Sequence, residues 1–279
     1  MALSAKKLAA LEKKAWEIRR KTIETTYWAG GGHAGGALSQ TDILVILYHH
    51  FMKIDPKNPE WEDRDRFILS KGHGGVGYAP VLTDLGYCDE KLLEEFNHTH
   101  SPFGMHLDRT KVPGVDASTG SLGHGLPIAV GMALSARLQK KDWRTYCVMG
   151  DGECNEGSVW EAAMAASHFK LDNLTGFVDR NKLCIDGCVE DIMSIEPLND
   201  KWKSFGWEVI ELDGHNFNEL AKGIEKAIAT KGKPTMIIAD TIKGKGVDYM
   251  ENEPGWHYGG LDPEKRDLAL KSIDNYYNK

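Results

Sequence analysis

Residues 145–152 read Thr-Tyr-Cys-Val-Met-Gly150-Asp151-Gly152, and residues 174–181 read Leu-Thr-Gly-Phe-Val-Asp179-Arg180-Asn181. Each is a short apolar run that breaks off into polar residues. Between them, Val159 to Phe169 has the spacing of a helix. Strand, helix and strand, with strands apolar almost throughout, is the unit of a parallel sheet covered on both faces. The pattern extends outward. Arg66 to Ser70 reads as a further buried strand, and Trp207 to Leu212 and Thr235 to Ala239 as two more. Lys201 to Phe205 and Phe217 to Ala229 read as the intervening helices. The expected fold is α/β, a doubly wound parallel sheet with helices on both faces. No linker divides the chain, so a single domain over residues 1–279 is expected. In such sheets ligands sit beyond the carboxyl ends of the strands.

Upstream, Leu8, Leu11, Ala15, Ile18 and Thr22 give a helix over 4–27, with Ser4 as its N-cap. The cluster Gly30-Gly31-Gly32-His33-Ala34-Gly35-Gly36 ends it. Ser39 is then expected to open a second helix, with Asp42 completing a capping box and Ile43 to Met52 as its body. Leu126 to Lys140 reads as a helix of small apolar residues. Residues 97–125 and 243–260 read as long loops, and the last residues as a short polar helix. Loops of that length are usually functional.

The 30 glycines are about 11% of the 279 residues, against a typical ~7%, and they fall in clusters. A net charge of −7 argues against a broad electrostatic grip on nucleic acid. No stretch approaches the roughly 18 apolar residues of a membrane span, and no signal peptide leads the chain. The cysteines, Cys88, Cys147, Cys154, Cys184 and Cys188, are odd in number and without a Cys-x-x-Cys pair. Reduced thiols in a cytoplasmic protein are the better reading, and the spacing argues against zinc.

Gly150-Asp151-Gly152 follows a strand and precedes a helix. Its glycines let backbone N–H groups approach an anion, and the helix start favours negative charge. Asp151 would repel a diphosphate unless a divalent cation lies between them, so it reads as a Mg²⁺ ligand. Asn181, at the end of the next strand, and a nearby carbonyl can add hard oxygen ligands. A nicotinamide cofactor is the alternative, but no Gly-x-Gly-x-x-Gly opens a helix after a strand.

Five of the eleven histidines, His33, His73, His106, His124 and His257, lie in glycine-rich loops. Glycine lets backbones crowd, so several imidazoles can converge on one pocket. Near-neutral imidazoles suit proton transfer to sugar hydroxyls and aldehydes. A metal-binding histidine cluster is the alternative, but no two of these lie at i, i+4. His98 and His100 read as surface residues.

Taken together, the motifs resemble the N-terminal part of transketolase over about residues 10 to 260. They are Gly31-Gly-His33-Ala-Gly-Gly36, Ser70-Lys71-Gly-His73, Gly104-Met-His106, Thr119-Gly120-Ser-Leu122-Gly-His-Gly125, Gly150-Asp-Gly-Glu153-Cys-Asn-Glu156-Gly, Asp179-Arg-Asn181-Lys-Leu183, Lys243-Gly-Lys-Gly246 and Pro254-Gly-Trp-His257. The resemblance implies thiamine diphosphate as cofactor, with Mg²⁺ or Ca²⁺ held by Asp151, Asn181 and the Leu183 carbonyl. It places His73, Gly152 and His257 at the diphosphate, with Lys71 and Lys243 contacting it or framing its entrance. Gly150 and Glu153 join that cofactor-binding turn, and Gly120 and Leu122 line the aminopyrimidine side. His33, His106 and His257 grip sugar hydroxyls and shuttle protons, with His73 counted among the catalytic histidines. Glu156 meets a partner glutamate across a subunit interface.

The implied reaction is ketol transfer from a ketose phosphate to an aldose phosphate, the cofactor acting as electron sink. The pentose phosphates are the default substrates. A split ketol-transferase for branched or sulfonated sugars, a non-catalytic paralogue and a deoxyxylulose-phosphate synthase-like subunit are the alternatives. Two departures stand out. His124 replaces the family's usual glutamine, and Gly104-Met-His106-Leu replaces Gly-His-Pro, leaving the register at His106 open by one residue. The domain that carries the cofactor-activating glutamate in the family is absent. A separate C-terminal, pyrimidine-binding subunit is therefore expected, in an α2β2 heterotetramer. The Met1 start and polar Asn278-Lys279 finish point to a native subunit.

Overall fold

The computed structural model describes residues 3–277. The chain ends cited above, Met1, Asn278 and Lys279, lie outside them. Five strands, β1 (Arg66–Leu69), β2 (Thr145–Gly150), β3 (Leu174–Arg180), β4 (Glu208–Asp213) and β5 (Thr235–Asp240), form one parallel sheet in the order β1-β2-β3-β5-β4. All five stretches read as strands are present, each within two residues of its expected limits. The order puts the end of β2 beside the end of β3, with Gly150 in register with Asp179.

Alternation along the strands explains the double winding. Phe67, Leu69, Tyr146, Val148, Phe177, Ile237 and Ala239 belong to one hydrophobic cluster. Ile68, Cys147, Met149, Val178, Met236 and Ile238 belong to another. A sheet apolar on both faces needs helices on both faces. The first is covered by α1 (Ala5–Trp28), α3 (Thr41–Ile46), α4 (Gly75–Leu85) and α9 (Phe217–Ala229), and the second by α5 (Gly125–Leu138), α6 (Gly157–His168) and α8 (Leu198–Ser204). Three further helices complete the chain: α2 (Ala34–Ser39), α7 (Val189–Met193) and α10 (Pro263–Tyr277). The last packs on α1 through a third cluster that includes Ile23, Leu38, Ala269 and Ile273. No helix among the described residues is long and apolar enough to cross a membrane.

Ser4 caps α1 as expected, its Oγ accepting from the Lys7 amide at 3.2 Å. Ser39 does not cap a helix. It is the last residue of α2, and its hydroxyl donates to Asp179 at 2.6 Å. Asp42 is not a capping acid either, because its carboxylate is consumed by Arg19. Here tertiary charge pairing overrides a local rule. Helices α2 and α4 went unread because their glycines, and Pro80 inside α4, mask a helix that burial enforces. Residues 97–124 hold no regular element. They fold back on the strand ends, where only glycine fits. A Cβ at Gly72 would lie 2.5 Å from the Thr119 carbonyl oxygen, and one at Gly125 within 2.5 Å of Ser70.

Candidate active site

The carboxyl ends of β1, β2, β3 and β5 release the four segments that build the site: Ser70 to His73, Gly150 to Glu153, Asn181 to Leu183, and Thr241 to Lys243. His33 arrives at the start of α2, and His257 from the glycine-rich tail, which is tied back by paired backbone bonds between Gly32 and Gly259.

Three imidazoles converge. Ring centroids of His33 and His73 lie 4.8 Å apart, those of His33 and His257 5.3 Å, and those of His73 and His257 5.5 Å. His106 joins them from an exposed loop, close enough to lower the pKa of His33 and His73, and its ring packs on Gly120. His124 is exposed at the start of α5 and belongs to none of the ring pairs that bring His33, His73 and His257 together. His98 and His100 are exposed, as expected.

The expected near-neutral pKa values are corrected. Burial, then His106 and Lys243, lowers His33 to about 4. Burial, then Lys243 and His33, lowers His257 to about 3. His73 is lowered further, by burial and by Lys71. His33, His73 and His257 are neutral at pH 7, so in this state they act first as hydrogen-bond donors and acceptors for hydroxyl groups. The Nδ1 atom of His33 is buried with no hydrogen-bond partner.

Asp151 is 3% exposed and has no ion-pair partner within bonding distance among the described residues. Its carboxylate accepts only from the backbone amides of Gly152 (2.8 Å) and Lys182 (2.5 Å). Burial raises its pKa, with Asp179 adding to the rise, to about 6. The Asn181 Oδ1 accepts from the Leu183 amide at 3.2 Å. The Leu183 carbonyl accepts from Lys243 Nζ at 3.0 Å, as does the Cys184 carbonyl. A buried uncompensated carboxylate beside an amide oxygen and a carbonyl is a hard-oxygen set that a divalent cation fits. A lysine cation already touches two carbonyls there. Lys243 also bonds His257 Nδ1 at 2.9 Å, and burial together with Lys71 lowers its pKa to about 8.

Two expected cofactor contacts have other tasks here. Lys71 is 3% exposed and committed to Asp179 and the Gly36 carbonyl, so it is an internal counter-ion rather than an open anion site. Glu153 turns inward. It binds the Ser70 hydroxyl and the amides of Gly123 (2.9 Å) and Gly150 (3.1 Å), stapling three loops together. Glu156 and Leu122 are exposed and adjoin at Gly123, where an added Cβ would meet the Glu156 side chain.

Asp179 is the residue that sequence reasoning missed. Fully buried, it gathers Lys71, Ser39, Thr241 and, at 3.5 Å, Asn181. Burial acts to raise its pKa, but Lys71 outweighs this and holds it below the usual range. Its place two residues before Asn181 at a strand end was the available signal.

A cleft of about 1150 Å³ opens elsewhere, lined by Trp16, Asp213, His215, Asp240, Lys245 and Tyr276 among others, and includes none of the four clustered histidines. The converging chemistry, rather than this cleft, marks the site.

Residues 11–272 match the family model described as transketolase, thiamine diphosphate binding domain. A 6-deoxy-6-sulfo-D-fructose transketolase subunit of Clostridium sp. is 43% identical over 264 residues, covering 95% of this chain and 96% of that protein. An apulose-4-phosphate transketolase subunit of Phocaeicola vulgatus is 39% identical over 269 residues, covering 96% and 95%. The crystal structure of transketolase from Campylobacter jejuni superposes with a TM-score of 0.89 at 32% identity, over 95% of this chain but 42% of that longer one.

Proposed function

This chain belongs to the transketolase family, as its thiamine diphosphate-binding domain, and from that premise we propose how its residues divide the work of ketol transfer. It is the N-terminal subunit of a two-component transketolase, an enzyme moving a two-carbon ketol unit from a ketose to an aldose. Thiamine diphosphate supplies the electron sink when bound.

Asp151, Asn181 and the Leu183 carbonyl would hold Mg²⁺ or Ca²⁺, and Gly152, His73, His257 and Lys243 would face the diphosphate. His33, His106 and His257 orient the sugar hydroxyls, His33 and His257 as neutral imidazoles donating at one nitrogen and accepting at the other. The diphosphate's negative charge would draw the depressed histidine pKa values back toward neutrality, restoring proton transfer only in the loaded site. Gly120 and Leu122 line the side toward the partner, and Glu156 faces the interface. Buried side chains and the crossing loops exclude water from the metal set.

Convergence of His33, His73 and His257 beside an uncompensated Asp151 is the observation that carries this reading. The partner is the pyrimidine-binding subunit, in an α2β2 assembly in the cytoplasm. Two relatives of the same length are named for a sulfonated and a branched sugar. That favours a specialised, branched or sulfonated sugar over the linear pentose phosphates as substrate.

The test is to mix the chain with the product of the adjacent reading frame, thiamine diphosphate and Mg²⁺, and to assay ketol transfer from sulfonated, branched and pentose donors. Activity is expected only in the mixture. Full turnover by the chain alone would overturn the two-component reading.

A further inference from the structure

His215 lies outside the histidine cluster, yet it is bonded on both ring nitrogens. Nδ1 is 2.7 Å from Asp42 Oδ2, and Nε2 is 2.9 Å from the backbone nitrogen of Ile242. Asp42 is 3% exposed and gripped through two bonds by Arg19, which is fully buried, at 2.9 and 2.7 Å. Burial acts to raise the Asp42 pKa, but Arg19 and His215 overcome it and hold the group well below the usual carboxylate range. An ionised carboxylate only accepts, so Nδ1 carries the proton. An amide N–H only donates, so Nε2 accepts. One neutral tautomer satisfies both partners.

The bonded amide is the residue before Lys243. The rest of the network holds the same segment. Arg19 Nε donates to the Lys245 carbonyl at 3.2 Å, and its Nη2 to the Leu38 carbonyl at 3.1 Å, one residue before Ser39. The Gly244 amide donates to the Gly35 carbonyl at 2.9 Å. Beyond the segment, Lys243 touches Leu183, Cys184 and His257. A line of polar contacts, buried at Arg19–Asp42 and half-buried at His215, thus runs from α1 to the strand end whose lysine faces the site.

We propose that His215, locked by Asp42 and Arg19, is a positioning residue that fixes the Thr241–Lys245 segment and thereby sets how tightly the diphosphate is held. It touches no substrate and acts through Ile242. The proposal rests on Lys243 facing the diphosphate, and its test separates the two.

The full chain is used. His215→Phe keeps a ring and removes both nitrogen contacts. His215→Gln keeps one amide, which satisfies Asp42 or Ile242 but not both. Amide hydrogen exchange is followed at Ile242 and Lys243, and calorimetry measures affinity for inorganic diphosphate and for thiamine diphosphate with Mg²⁺. A lost bond to a half-buried amide corresponds to up to about tenfold in an equilibrium. The Phe variant is therefore expected to exchange about tenfold faster over 241–245, and to bind both probes about tenfold more weakly. The Gln variant should lie between, and it carries the comparison if the Phe variant does not fold. Wild-type exchange over 241–245 would overturn the positioning role of His215. Faster exchange with unchanged affinity would instead overturn the link through Lys243. A fall in thermal stability with neither change would mark a purely structural residue.

Discussion

Asp151 holds a carboxylate where its charge costs most. It is buried, lies near Asp179, and is only partly relieved by two backbone amides and the Lys71 charge, so its pKa rises to about 6. A group raised in the folded state favours its protonated form there, and it weakens the fold as it ionises. Such an arrangement makes sense where a cation arrives. Asp151→Ala is expected to abolish metal-dependent cofactor binding, measured by calorimetry with Mg²⁺ and with chelator, while leaving the melting midpoint within a few degrees of wild type. Cofactor affinity that still responds to Mg²⁺ would remove Asp151 as a ligand. This assignment was legible in the sequence because Gly-Asp-Gly and Asn181 sit at two strand ends, and parallel neighbours bring strand ends together. The tasks of Lys71 and Glu153 were not legible. Whether a charged side chain turns outward to a ligand or inward to Asp179 depends on residues far away in sequence, such as Ser39 and Thr241.

Among the elements, the turns after the strands carry most of the information. Glu153 sits in the turn between β2 and α6, and its two oxygens reach the strand end of β2, the loop before α5 and Ser70 after β1. Glu153→Ala would leave the Gly123 and Gly150 amides without their acceptor, at a cost of about 1–3 kcal/mol. Denaturant unfolding is expected to show that loss, and limited proteolysis to show earlier cleavage over 119–124. Wild-type stability with an unchanged cleavage pattern would refute the staple. The strands were readable because a sheet buried on both faces demands nearly continuous apolar runs. The Phe217–Ala229 helix has the limits expected of it, its periodic face lying in local sequence, and Asn216 caps it. Helices α2 and α4 were not, since glycine and proline speak against helix locally while complete burial decides for it.

For the whole molecule, the histidine cluster makes stability depend on pH. In the folded chain His33 and His257 have pKa values of about 4 and 3, and His73 lower still, against 6.5 unfolded. Between those limits the unfolded chain binds more protons, so stability rises with pH across the window and is lost as pH falls from about 6.5. Asp151 works in the opposite direction between about 6 and 3.8, and burial raises Glu153, Asp65 and Asp116 in the same sense, while His49 and His50, lowered by burial, side with the cluster. The melting midpoint is expected to drop on going from pH 7 to pH 5, and to drop less with thiamine diphosphate and Mg²⁺ bound. A midpoint that rises toward pH 5 would contradict the neutral cluster.

The sequence by itself determined the parallel sheet, its strands, the edge at which ligands gather and the motif that names the family. All of these follow from apolar periodicity and from residues adjacent in the chain. Only the tertiary structure decided which histidines meet, that His124 stays outside, that Asp179 neutralises Lys71, and that His215 reaches Ile242. Those facts depend on contacts between residues 27 to 224 positions apart. The energies of burial and charge that settle such contacts are properties of the folded interior, not of any local pattern.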